Sequence, residues 1–145
     1  MSPNVPTQNP FKLISTRALE LVLKCERPKE SEYILNFDHK IFFFIEPKTS
    51  LEDKKIFIVE FRADVKNTSQ SFSLTTKFHV VFQSEREMTA EDLESPGIRI
   101  NARAIAFPFL RSFITTVTSN AGYPPVILPS INFVRLLSLP GTKSI

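Results

Sequence analysis

Two histidines, His39 and His79, one cysteine, Cys25, and scattered carboxylates are the side chains on which acid–base or nucleophilic chemistry could rest. His39 falls on the apolar face of a predicted strand, where a hydrogen-bonded core histidine is the ordinary outcome. His79 falls on a polar face, open to solvent. Asp38, Glu60 and Asp64 alternate with exposed positions, a setting that raises no carboxyl pKa. No Cys/His cluster has the spacing of a zinc site. Only Gly97, Gly122 and Gly141 are glycines, so neither a dinucleotide fingerprint nor a phosphate loop can be assembled. No cofactor and no metal are expected. The catalytic alternative is a small-ligand pocket of the isomerase or thioesterase type, using Asp38 and His39.

Binding chemistry is better represented. Lys and Arg total 18 against 15 Asp and Glu in 145 residues. The densest basic pair, Lys54-Lys55, sits beside Glu52 and Asp53, which reads as a solvated mixed-charge surface rather than a nucleic-acid site. The anomaly is Tyr123-Pro-Pro-Val-Ile-Leu-Pro129, an apolar, proline-stiffened connector where loops are normally polar. It reads either as a buried crossover packed on a sheet or as the wall of an apolar groove that receives another chain. A stiff wall loses little entropy on docking, and each fully buried apolar side chain contributes about 1.5–3 kcal/mol.

The elements that must carry this connector are set by periodicity. The length suits one domain, with a flexible arm over residues 1–11, a domain over 12–139 and a short tail over 140–145. Four extended segments are predicted. In the first, about 12–27, Leu13, Leu19, Leu21, Leu23 and Cys25 oppose Thr16, Glu20, Lys24 and Glu26. The second, about 33–46, contains Ile41-Phe-Phe-Phe-Ile45, apolar on both faces. In the third, Phe57, Val59, Phe61, Ala63 and Val65 oppose Glu60, Arg62, Asp64 and Lys66. The fourth sets Phe72, Leu74, Phe78, Val80 and Phe82 against Ser73, Thr75, Lys77 and His79. Short polar connections predict an antiparallel meander.

Beyond Gln83 the period becomes helical. Thr89-Ala-Glu-Asp92 has capping-box spacing and starts a short turn that Pro96-Gly97 interrupts. A long helix is predicted over about 101–120, with Leu110, Phe113, Ile114 and Val117 on one stripe and a kink or fresh start at Pro108. Asn120-Ala-Gly122 stops it. A short last helix comes after Asn132 as cap and ends at Pro140-Gly141. The fold class is α+β: a four-stranded antiparallel meander sheet, a long kinked helix, the connector and a short C-terminal helix.

Two stretches of this C-terminal third, Ala106-Phe-Pro-Phe-Leu-Arg-Ser-Phe-Ile114 and Asn120-Ala-Gly-Tyr-Pro-Pro-Val-Ile-Leu-Pro-Ser-Ile-Asn-Phe133, resemble the SecB export-chaperone family. The Glu26-Arg-Pro28 end of the first strand agrees with it. The resemblance implies a homotetramer, a dimer of dimers, that holds unfolded precursor proteins in apolar grooves. The holding is passive and nucleotide-independent, and keeps clients competent for export through the SecA translocation motor. Carried onto this chain, the groove is Tyr123, Pro124, Val126, Ile127, Leu128 and Phe133, with Phe72, Phe78 and Phe82 of the fourth strand as further members. Some SecB-like proteins instead guard an antitoxin of a toxin–antitoxin system, an alternative kept open here.

The chain departs from the family at two places. Acidic members present carboxylates on the outer sheet face for SecA, whereas the fourth strand here offers Ser73, Thr75, Lys77 and His79. Residues 140–145 carry no acidic charge. Ile105, Phe109 and Phe113, with segment 41–45, make more apolar surface than one copy can hide, so they are expected at subunit contacts. A cytoplasmic setting is expected from the lone cysteine and from an N-terminus without the pattern of a secretory signal. Neither nucleic acid nor direct membrane insertion is expected.

Overall fold

The structure, a computed structural model, describes residues 11–26, 37–46, 53–67 and 72–137. Residues 1–10 of the expected arm, the connections near 28–32 and 47–52, the side chains of 37–46 and the Pro140-Gly141 stop lie outside the described residues; Phe11, expected as the last residue of the arm, instead starts β1 and is buried in the core. Four strands form one antiparallel sheet: β1 (Phe11–Cys25), β2 (Phe37–Glu46), β3 (Ile56–Asn67) and β4 (Phe72–Ser84). Its order is β1-β4-β3-β2. Only β2, β3 and β4 run as a meander. β1 pairs with β4 at the far side from β2, which corrects the expected four-strand meander to a Greek-key order. The reason is the connection over 26–36, too long for a hairpin, so packing rather than sequence neighbourhood selects the partner.

The alternation expected of β3 and β4 places Phe57, Val59, Phe61, Val65, Phe72, Leu74, Val80 and Phe82 in the core. Phe57 and Phe82 stack at 5.2 Å, and Phe11 meets both edge-on at 5.4 Å. β1 departs from its expected faces because its register with β4 shifts between Leu13 and Ser15 and again between Ala18 and Glu20. One extra residue reverses the facing of every strand position beyond it. Thr16 therefore lies opposite Val80 on the core-facing rows. Leu19, expected inside, is 50% exposed. The buried Thr76 donates its hydroxyl to the Glu20 carbonyl at 2.7 Å, tying β4 to β1 beside the second shift.

α1 (Ala90–Glu94) begins with the expected capping box: the Thr89 N–H donates to Asp92 Oδ2 and the Asp92 N–H to Thr89 Oγ1. α2 (Pro96–Asn120) starts earlier than expected, with Pro96 at its first position, where a missing N–H costs nothing. It runs through Pro108 without a fresh start. Pro108 and Ala104 are both exposed, so water can take the Ala104 carbonyl that the proline leaves without a donor. On the opposite side Ala102, Ala106, Phe107, Leu110, Ile114 and Thr118 are buried. The helix ends in a Schellman motif: Gly122 has φ 92° and donates to the Ser119 carbonyl, and Tyr123 donates to that of Thr118. α3 (Phe133–Leu137) starts where Asn132 Oδ1 accepts the Arg135 N–H at 3.1 Å.

Candidate functional site

The connector between α2 and α3 has no hydrogen-bonded ladder of its own, so its buried backbone needs side-chain partners. Val126 finds both on α2. Its N–H donates to Thr118 Oγ1 at 3.0 Å, and its carbonyl accepts from Thr115 Oγ1 at 2.7 Å. These two threonines were not anticipated from the sequence. The available signal was a pair of hydroxyls three residues apart on an apolar helix face, just ahead of a proline-rich segment.

Held at Val126, the segment alternates. Val126 and Leu128 are buried, while Ile127 between them is 67% exposed. The buried crossover and the exposed wall are thus the same segment, divided residue by residue. Pro124 is exposed, and Tyr123 is half-buried with its ring edge-on to Phe72 at 4.9 Å. Phe72, Phe78, Phe82, Val126, Leu128 and Phe133 belong to the core. Phe133 packs on Phe107 and Phe78 on Phe113, with centroids 5.7 and 5.0 Å apart. The strand aromatics Phe72, Phe78 and Phe82, with Val126 and Leu128, are interior in this chain, whereas Phe133, also nearly buried, lines the groove between α2 and α3.

Downstream, a groove of about 530 Å³ opens between α2 and the start of α3. Ile100 and Ala104 form one wall, Ile131 and Val134 the other, with Asn101 and Ser130 at hand for polar contacts. Val134 is 64% exposed. Ile100, Ile131 and Val134 were missed because their neighbourhood is set by how the connector folds back on α2. Of the expected interface residues, Phe109 is exposed while Ile105 and Phe113 are partly buried against the core. β1 lies at a sheet edge and exposes Ile14, Leu19, Leu21 and Val22.

His79 and Glu60 are not the plain exposed pair that alternation suggests. Glu60 is 5% exposed; its Oε1 lies 2.9 Å from His79 Nε2 and its Oε2 accepts from Arg62 Nε at 3.1 Å. Burial pushes this carboxyl up, but the His79 hydrogen bond and the Arg62 charge outweigh it and leave the group below its ordinary value. A carboxylate so engaged is a structural anion rather than a base. The side chains of Asp38 and His39 lie outside the described residues. Burial beside Arg99 lowers Arg103 to about 10, still charged at neutral pH. Among the described residues, no three His, Cys, Asp or Glu gather as metal ligands, and no helix is long and apolar enough to cross a membrane.

Residues 23–139 match the protein family described as Preprotein translocase subunit SecB. The chain belongs to the SecB family. A SecB protein from Wolbachia (strain wRi) is 27% identical over 144 residues, covering 98% of this chain and 77% of the relative. One from Anaplasma phagocytophilum is 40% identical over 67 residues, 43% of this chain and 40% of its own length. An uncharacterised protein of Methanocaldococcus jannaschii is 51% identical over 39 residues, 27% of this chain and 25% of its own length. The matches to the last two therefore span well under half of those proteins. Among solved structures, a Mycobacterium tuberculosis SecB-like chaperone in complex with a ChAD peptide from the HigA1 antitoxin superposes with TM-score 0.66. It is 17% identical, and the match covers 83% of this chain and 90% of that one, a likeness of fold.

Proposed function

We propose that this SecB-family chain is a passive chaperone that holds apolar segments of unfolded polypeptides along the connector and the groove beside α3. Ile127 is the observation that carries the reading. A large aliphatic side chain stands in solvent on a segment whose two neighbours are locked in the core. A client segment covering Ile127 and Val134 recovers about 1.5–3 kcal/mol for each side chain it buries. Such contacts ask for apolarity rather than a given sequence. Folding of the client hides those segments, so native proteins are ignored, and nothing in the cycle calls for a nucleotide, a metal or a catalytic residue.

Assembly belongs to the same proposal. A long edge strand with exposed apolar residues is a template for another strand, and a second copy of β1 suits it. Exposed Phe109 on α2 offers a further contact. A homotetramer would present several grooves to one client and gain affinity by avidity. The held protein is a precursor bound for export, passed to the SecA motor. An antitoxin segment is the second reading, favoured by the antitoxin peptide bound to the mycobacterial protein of the same fold.

Native mass spectrometry of the full chain tests both parts. The expected result is a multimer that gains one unfolded precursor and none of the folded form. A monomer, or a multimer indifferent to unfolded chains, overturns the proposal. Adding an antitoxin peptide in competition then separates the two classes of client.

A further inference from the structure

Charge is divided unevenly along this chain. All 15 Asp and Glu residues precede Ser95, whereas the stretch from Ser95 to Ile145 holds Arg99, Arg103, Arg111, Arg135 and Lys143 with no Asp or Glu. The connector and the groove beside α3 are built from this stretch, so the residues that present them bring only positive charge. Arg103 is buried, donates to the Arg99 carbonyl at 3.1 Å and has Glu94 of α1 nearby. Arg99 is half-buried, and Arg135 is exposed next to Val134.

Arg111 is the cation placed to meet a client. Ile100, Ala104, Arg111, Thr115 and Thr118 follow one another at helical spacing, which keeps them on one stripe of α2. The connector runs down this stripe in the opposite direction to the helix. Val126 is bonded to Thr118 and Thr115, Ser130 Oγ lies 3.5 Å from Arg111 Nη1, and residues 130–134 meet Ile100 and Ala104 across the groove. The half-buried Arg111 therefore stands between exposed Ile127 and the groove that Val134 helps to wall. Its contact with Ser130 is longer than the roughly 2.7–2.9 Å of a charge-assisted hydrogen bond, so the hydroxyl leaves most of the five guanidinium donors available. Among the described residues no carboxylate pairs with Arg111. Glu94 acts instead on Arg103, about 12 Å back along α2.

We propose that Arg111 selects clients whose apolar segments carry an embedded carboxylate: aliphatic side chains cover Ile127 and Val134, and an Asp or Glu between them pairs with the guanidinium. This rests on the holding function proposed above and adds a preference in charge to it. A client segment that covers both aliphatic residues passes Arg111 and excludes water from it. A cation stripped of water favours a carboxylate over a neutral amide and repels a lysine. An unfolded polypeptide suits this path better than a nucleic acid. Single strands of nucleic acid bind on exposed aromatic platforms as well as on cations, and the exposed side chains here, Ile127 and Val134, are aliphatic.

Fluorescence anisotropy with the full chain tests it. The probe is a short unstructured peptide with aliphatic residues on both sides of one central Asp. Its controls replace that Asp with Asn or Lys, and a single-stranded oligonucleotide stands for the competing class. At about 50 mM salt, where charge is weakly screened, the Asp peptide is expected to bind about three- to tenfold tighter than the Asn peptide, and the Lys peptide more weakly than either. Arg111→Gln is expected to bring the Asp peptide down to the level of the Asn peptide. Arg111→Lys should keep a preference for Asp, and Arg111→Glu should reverse it in favour of Lys. A thermal melt of each variant separates lost selectivity from lost folding. Ile127→Ser is expected to weaken all three peptides while preserving their order, so holding and selectivity fail separately. Equal binding of the Asp and Asn peptides to the wild-type chain, an unchanged preference in folded Arg111→Gln, or tighter binding of the oligonucleotide overturns the proposal without touching the holding function. Binding of none of the peptides overturns both.

Discussion

Two stretches of the chain expose apolar side chains, and their backbones are in opposite condition. In the connector, both polar backbone groups of Val126 are bonded to α2 through Thr115 and Thr118, so around Ile127 the segment presents chiefly side chains. In β1, an edge strand, alternate N–H and C=O groups face away from β4 with no strand beyond them among the described residues. A surface of side chains tolerates many sequences and no fixed register. An open strand edge favours a partner with a matching strand, and a second copy always has one. Apolar exposure is common to the proposed client surface and the proposed assembly surface; the state of the backbone is what differs between them.

The largest effect should come from removing an inward-facing anchor of the connector. Leu128→Ala is expected to cost about 2–5 kcal/mol of stability, visible as a lower midpoint in a denaturant melt, with loss of client binding as a consequence. Ile127→Ser should separate the two roles, weakening client binding about 10- to 100-fold with an unchanged melt. Leu21→Lys should do the reverse, lowering the oligomer seen by sedimentation while each remaining groove still binds. If Leu21→Lys and Ile127→Ser affect assembly and client binding alike, the contrast between the two stretches is wrong.

Thr118→Val keeps the shape but leaves the buried Val126 N–H unbonded, for an expected loss of about 1–3 kcal/mol and faster hydrogen exchange along the connector. Gly122→Ala meets no atom within 4 Å, so its cost is that of the left-handed backbone alone, about 1–2 kcal/mol. The smallest effect is a pH dependence. Hydrogen bonds from Arg86 and then Thr89 hold the Asp92 carboxyl down at about 2. A lowered folded value stabilises above the ordinary carboxyl range, near 4, and that contribution is lost as pH falls toward 2. Asp92→Asn should flatten this part of an acid titration of helicity.

Much of the fold was legible because its signals are local. Period-two alternation in β3 and β4 reports the buried face directly, and the Thr89–Asp92 box, the Asn120-Ala-Gly122 stop and the Asn132 cap are made by residues within a few positions of one another. β1 is less legible because a register shift leaves no mark in composition: Thr16 falls on a row opposite Val80 and Leu19 falls at the second shift through geometry that only pairing with β4 imposes. The connector was recognised as unusual, but its division into buried Val126 and Leu128 and exposed Ile127 depended on hydroxyls from another element. Glu60 reads as an exposed strand residue until His79 and Arg62 are brought against it.

By itself, then, the sequence determined the α+β class, the element boundaries to within a few residues and the family resemblance, since each rests on patterns repeated within a few turns or strand steps. The tertiary structure decided that β1 pairs with β4, that the groove beside α3 is walled by Ile100, Ile131 and Val134, and that Glu60 is buried against His79 and Arg62. Those outcomes are set by contacts between residues far apart in the chain, whose free energy depends on which surfaces meet when the core closes.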